Sequence, residues 1–297
     1  MLLTNRDDLV MISLQGVVAP HVRKQAFRIG ADGVPFVLPG VGGITYNVRV
    51  GDRAFGWAGD HIEPGVSTAA DYDKRSDSKN TGYNVLACIG NKARVVSGDA
   101  KDAEGVVTGH HGGIEHVLID FDDDALDKLA IDDKILIRGY GQGLRLLDYP
   151  EVRVYNLDPD LLDRMGVAES GGKLRVPVAA RVPARLMGSG IGEPDTASGD
   201  YDITTTDRAE IAELGLDRLR FGDLVALDDC DNLFGRSYRR GAISIGVVVH
   251  SDCLLAGHGP GVATIMTSAG PSIEPFVDES ANIGKYLGIG RYRASSR

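Results

Sequence analysis

Three of the chain's seven histidines fall within ten residues, Thr108-Gly-His-His-Gly-Gly-Ile-Glu-His-Val117. Neutral imidazole is a good ligand for zinc and other borderline metals, and it titrates near neutrality. The stretch therefore suits either a metal centre or acid–base chemistry. Gly109, Gly112 and Gly113 let the backbone fold closely around the rings, and His116 begins a strand with Val117 on the opposite face. His111 and His116 are accordingly candidate metal ligands and catalytic groups, with His110 or Glu115 assisting. The spacing matches no standard motif such as HExxH, and the same rings could simply tie a loop to backbone carbonyls.

Three further segments carry similar chemistry. In His250-Ser-Asp-Cys-Leu-Leu-Ala-Gly-His-Gly-Pro-Gly261 the preceding apolar run puts His250 and Asp252 at a strand end, and His258 lies in a glycine-rich turn. Glycine is favoured where a backbone must approach something closely, which makes Gly259 a candidate substrate contact. His250 and His258 join the catalytic candidates. Asp252 and His258 join the metal candidates, since a ligating imidazole usually has an acceptor nearby. Cys253 reads better as a small buried apolar residue than as a nucleophile. In Gly59-Asp-His-Ile-Glu-Pro-Gly-Val66, Asp60 and His61 are candidate ligands, whereas Glu63 reads as part of a solvated turn. Mixed oxygen and nitrogen donors suit zinc, manganese or iron. In Asp228-Asp-Cys-Asp-Asn-Leu-Phe-Gly-Arg-Ser-Tyr-Arg-Arg240, Asp231 and Arg236 are candidate substrate contacts, with Arg236 able to clamp a carboxylate in bidentate fashion.

The elements that must hold these loops are short. Apolar runs at Leu9–Leu14, Ile44–Val50, Val85–Ile89, Val117–Phe121, Lys134–Ile137, Leu174–Val176, Leu224–Leu227, Ala242–Val249 and Val262–Met266 have the length and Val/Ile content of strands. Thirty-nine glycines imply many tight turns between them. Short helices are expected at Asp122–Leu129, Asp158–Arg164 and Asp207–Leu214, each opening with an acid that suits the positive end of the helix dipole. No strand–long-helix alternation is visible, which argues against a Rossmann-like or TIM-barrel layout. The expectation is a mainly β, β-rich α+β protein of two barrel- or sandwich-like halves, residues 1–155 and 156–297. The halves are echoed in Leu129–Ile137 and Leu219–Leu227, each a turn, an Asp and an apolar strand. The stretches 67–82 and 188–199 read as flexible polar segments, the latter able to cover a site.

The chain of 297 residues has 43% hydrophobic and 25% charged residues, the usual globular balance. Its net charge of -10 disfavours a nucleic-acid partner, the short Arg236, Arg239 and Arg240 cluster notwithstanding. Neither a signal peptide nor a membrane span is legible, and three scattered cysteines suit reduced thiols. A cytoplasmic homo-oligomer with a small-molecule ligand is expected.

Taken in order, Gly59–Val66, Gly-Asp-Ala-Lys at 98–101, Thr108–Val117, Gly-Tyr-Gly-Gln-Gly-Leu at 139–144 and Val249–Gly261 resemble the bacterial and archaeal domain-of-unknown-function family 4438 over most of the chain. That resemblance implies no activity. Leu219-Arg-Phe-Gly-Asp-Leu-Val-Ala-Leu227 and the glycine-rich loops are faintly similar to the acetamidase/formamidase group, which implies a β-rich amide hydrolase. The functional expectation is a metal-dependent hydrolase or lyase for a small polar metabolite. The alternative is a non-catalytic metabolite- or anion-binding protein.

Overall fold

A computed structural model describes residues 2–23 and 25–294. In the first half the strands are β1 (Ile12–Val18), β2 (Arg28–Ile29), β3 (Pro35–Phe36), β4 (Ile44–Thr45), β5 (Gly65–Ala69), β6 (Lys92–Val95), β7 (Glu104–His111), β8 (His116–Asp120) and β9 (Lys134–Gly139). The second half adds β10 (Arg153–Val154), β11 (Ala168–Ser170), β12 (Lys173–Val178), β13 (Ala180–Pro183), β14 (Tyr201–Asp202), β15 (Leu224–Asp231), β16 (Ser237–Val248), β17 (Gly261–Ser268) and β18 (Ile273–Val277). Five short α-helices accompany them: α1 (Ser78–Leu86), α2 (Asp123–Lys128), α3 (Pro159–Arg164), α4 (Arg208–Glu213) and α5 (Ile283–Leu287). The protein is β-rich with few helices, as the run lengths imply.

In the first half, β1-β9-β6-β7-β8-β5 form an antiparallel sheet that closes when β5 returns to β1 through Val17 opposite Ala69 and Val18 opposite Thr68. Closure into a six-stranded barrel removes the unpaired edges an open sheet would present. Alternation fills it: on β9, Ile135 and Ile137 are buried while Lys134 and Arg138 face water. Ile137→Ala is expected to cost about 2–5 kcal/mol through lost burial and the cavity left behind. The loss should appear as a lower urea midpoint at unchanged slope. A variant within 0.5 kcal/mol of wild type, a margin of about the size seen at open surface positions, would contradict a packed barrel interior.

The second half is a mixed sheet, β10-β17-β16-β15-β13, with β14 also paired to β17 and a small β11-β12-β18 sheet beside it. The halves share a core, in which Ile89, Leu118 and Leu144 pack with Leu224, Ile245 and Ile265. The barrel hairpin β7–β8 thereby meets the β14, β16 and β17 ends of the second sheet. No helix among the described residues is long and apolar enough to cross a membrane.

The three expected helices form with their acids at the N-caps: Asp122, Asp158 and Asp207 accept from the backbone N–H of Ala125, Asp160 and Glu210. Helix α1 departs from expectation, replacing a polar loop and part of the run at Val85–Ile89. Its buried face is Asn80, Tyr83 and Asn84, so no apolar stripe announces it. The run at Ile44–Val50 pairs only through Ile44 and Thr45, because the chain then turns to reach Arg49 and Asp52, whose carboxylate accepts from the Arg49 N–H.

Candidate metal centre

Strand alternation puts Asp200 and Asp202 on one face, with Tyr201 on the other in the core. Across the ladder Asp202 faces Gly261. A methyl at Gly261 would overlap Asp200 Oδ2 and His250 Nε2, so a residue without a side chain is required there. Gly112 and Gly199 meet for a similar reason: a Cβ on Gly199 would come within 2.6 Å of the Gly112 Cα. This approach lets the Gly112 N–H donate to Asp200 Oδ1 at 2.7 Å and joins the barrel hairpin to the second sheet.

Four histidine rings converge at this junction. His61 lies 5.7, 5.0 and 5.1 Å, centroid to centroid, from His111, His250 and His258, and His111 lies 4.3 Å from His250. Their partners fix which nitrogen carries hydrogen, because a carboxylate or carbonyl oxygen only accepts. His111 donates from Nδ1 to Glu63, leaving Nε2 for Asp200 and His250. His250 donates from Nδ1 to the Ser251 carbonyl at 2.9 Å, and its Nε2 lies 2.7 Å from Asp200 Oδ2 and 3.5 Å from Asp202 Oδ1, where those carboxylates favour a second hydrogen. His61 donates from Nδ1 to Asp60 Oδ1 at 3.1 Å and turns Nε2 to His258 Nδ1 at 3.2 Å. His61 holds its backbone at φ +58, a left-handed conformation uncommon outside glycine.

The electrostatics call for positive charge. Glu63, Asp200 and Asp202 are buried, and among the described residues none has a lysine or arginine in ion-pair contact. Burial alone would push their carboxyls up. Instead, His116 and His111 hold Glu63 well below the usual carboxylate range, and His250 lowers the Asp200 carboxyl from its ordinary value. Burial disfavours the His250 imidazolium, yet the Asp200 and Asp202 carboxylates outweigh it and hold its pKa well above the ordinary histidine value. Burial, with the charges of His250 and His111, keeps His61 below that value. His250 Nε2 and Asp200 Oδ2 are both buried without a hydrogen bond, although they lie in ion-pair range of each other. His111, Asp200 and His250 form one group whose ligand atoms could hold a metal ion, and His61, Asp202 and His258 form another.

Behind these groups lies a supporting layer. Glu63, read from sequence as a solvated turn residue, is wholly enclosed: it accepts from His111, His116, the Ser67 hydroxyl and the Gly42 N–H. His116 is thus placed behind His111, bonded to Glu63 at 3.0 Å. Asp60 accepts from His61, from Cys253 Sγ at 2.9 Å and from Arg28 at 2.7 Å, which saturates it as an orienting carboxylate. Asp60, His61 and Cys253 also lie within ligand range of one another, but burial and Asp60 push the Cys253 thiol up, away from the thiolate a metal takes. His110 points the other way, bonding the Ala87 carbonyl at 2.6 Å, and burial lowers its pKa to about 4.

His61, His111 and His258 open onto a cleft of about 270 Å³ lined also by Arg75, Glu115, Ser189, Glu193, Asp195 and Arg236, with His250 buried behind them. The loop 188–199 forms one wall. Arg236 is buried, donates from Nη2 to the Ser198 carbonyl at 2.7 Å, and leaves Nε without a partner. Burial raises the Glu115 carboxyl. Gly259 donates its N–H to Asp202 at 3.4 Å. Asp252 and Asp231 are not among the cleft's lining residues; they pair with Arg208 and Arg239, both at 3.3 Å. The residues sequence reasoning missed are Asp200, Asp202 and Glu63. The Gly-Asp-Tyr-Asp spacing was the available signal, since carboxylates two apart on a strand share a face.

Models of the N-terminal and C-terminal parts of a domain of unknown function, DUF4438, match residues 27–163 and 164–287. The chain is similar to a protein of known structure, described as "Crystal structure of TM1086", with 51% sequence identity and a TM-score of 0.91 over 96% of this chain and 99% of that one. No curated protein matches it.

Proposed function

The chain belongs to the DUF4438 family, whose description carries no activity, and from its cleft we propose a metal-dependent hydrolase or lyase acting on a small polar metabolite that bears an anionic group. The observation that carries the reading is the buried contact of His250 Nε2 with Asp200 Oδ2, beside the free nitrogen of His111. Buried carboxylates that face only imidazoles are costly, and a divalent cation bound by His111, His250 and Asp200 would offset that cost. Zinc, manganese and iron all accept this donor set. Such a cation supplies Lewis acidity, polarising a substrate carbonyl and making water a stronger acid.

The protein's own groups would do the rest. Arg236 would hold a substrate carboxylate, because its guanidinium lines the cleft with donor capacity unspent. Glu115, with its carboxyl raised, would move a proton on the reacting group. Arg236→Met, which keeps an unbranched apolar stem, is expected to weaken a carboxylate-bearing ligand by about tenfold to a hundredfold. Its metal content should not change. Titration of both forms with the same ligand checks this, and equal affinities would remove Arg236 from the site.

The test of the function is metal analysis of tag-free protein, followed by incubation of the metal-loaded protein with small carboxylate-bearing amides, esters and hydroxy acids. Turnover that Glu115→Gln abolishes without loss of metal supports the reading. Absence of bound metal overturns it. The polar cleft with its unpaired Arg236 also favours the second reading, a non-catalytic anion-binding protein. A ligand that raises Tm without being consumed would select that reading.

A further inference from the structure

Asp202 faces two ways. Its Oδ1 lies 3.5 Å from His250 Nε2, whereas its Oδ2 lies 3.0 Å from His258 Nδ1 and 4.0 Å from His61 Nε2. We propose that the cleft holds two divalent cations bridged by the Asp202 carboxylate, one on His111, Asp200 and His250 and the second on His61 and His258. This rests on the metal-dependent reading above and goes beyond it in number and arrangement.

The second position has its own geometric support. His61 Nε2, His258 Nδ1 and Asp202 Oδ2 form a triangle with sides of 3.2, 3.0 and 4.0 Å. The point equidistant from its corners lies about 2.0 Å from each, the length of a bond from zinc to imidazole nitrogen or carboxylate oxygen. A proton does not serve all three atoms. His61 has given its hydrogen to Asp60, so its Nε2 is a bare lone pair. A hydrogen on His258 Nδ1 can point well at only one of Nε2 and Oδ2. Orientation is fixed from behind, as metal-bound imidazoles require: Asp60 holds His61, itself anchored by Arg28. His258 faces the cleft with about a third of its side chain exposed, which leaves a coordination position open to a substrate. Paired cations in such a site would supply one position for the attacking water and one for the substrate oxygen.

The experiment is a cation count on the full chain. Chelator-treated protein is titrated with Zn²⁺ and with Mn²⁺, and bound metal is measured after removal of free ion. Two equivalents are expected for wild type and one for His258→Ala, whose partly exposed side chain can be removed without disturbing the core. His61→Ala should also retain one. With Mn²⁺, wild type should give the electron paramagnetic resonance spectrum of a coupled pair, and His258→Ala that of an isolated ion. One equivalent in wild type, unchanged in His258→Ala, would overturn the paired arrangement while leaving the metal-dependent function standing. No bound metal in wild type would overturn both.

Discussion

Asp200→Asn is expected to lose its divalent cation. Asp200 Oδ1 is already engaged by the Gly112 N–H, so Oδ2 is the oxygen left for a metal. Asparagine would offer a neutral oxygen or an N–H there in place of a charged donor. Altering even the residues that orient metal ligands lowers affinity about 10–100-fold, so replacing a ligand should reach or pass the upper end of that range. Cation held at a hundred times its Kd stabilises a folded protein by about 2.7 kcal/mol. Wild type should therefore melt several degrees higher with Zn²⁺ than with chelator, and Asp200→Asn should show a clearly smaller rise, that of the second position alone. An equal Zn²⁺-dependent rise in the two proteins would remove Asp200 from the centre.

Glu63→Ala is expected to have the largest effect on stability itself. Glu63 is buried, and four donors converge on its two oxygens. Removing one partner of a buried charged network costs about 3–5 kcal/mol, because the others are left desolvated and unpaired. Urea unfolding in the presence of chelator measures this loss apart from any contribution of metal. A Zn²⁺ titration should then show a 10–100-fold weaker site, since His111 would lose the acceptor that fixes its tautomer. The folded Glu63 carboxyl titrates below its ordinary value of 4.5. Its contribution is therefore complete at neutral pH and fades as pH falls below that value, through the folded pKa. A wild-type-like urea midpoint at pH 7 would mean that the His111–Glu63–His116 arrangement contributes nothing.

These two residues also mark where the sequence stopped being legible. The histidine loops could be picked out because imidazoles flanked by glycines are unusual in composition. Asp200 and Glu63 look like any acid in a polar turn. Glu63 is followed by Pro64 and Gly65, the grammar of an exposed bend, yet His111 and His116 enclose it from strands distant in the chain, with Ser67 of the strand that follows. Helix α1 was hidden for a related reason: its inward face is asparagine and tyrosine, whose hydrogen bonds replace the apolar stripe that periodicity detects.

The sequence alone determined most of the local elements, α1 apart. Short Val/Ile runs at period two made strands, aspartates capped the helices, and glycines marked the turns, because each depends on neighbours within a few residues. Tertiary structure decided which histidines meet and which acids face them. Closure of the barrel and the contact of Gly112 with Gly199 bring His111 to Asp200, 89 residues away. The same folding sets His116 behind Glu63 and leaves Asp231 and Asp252 paired with arginines outside the cleft. Metal ligation and carboxylate pairing are decided by distances of about 2–4 Å between side-chain atoms, and chain spacing does not set those distances when the residues lie in different sheets.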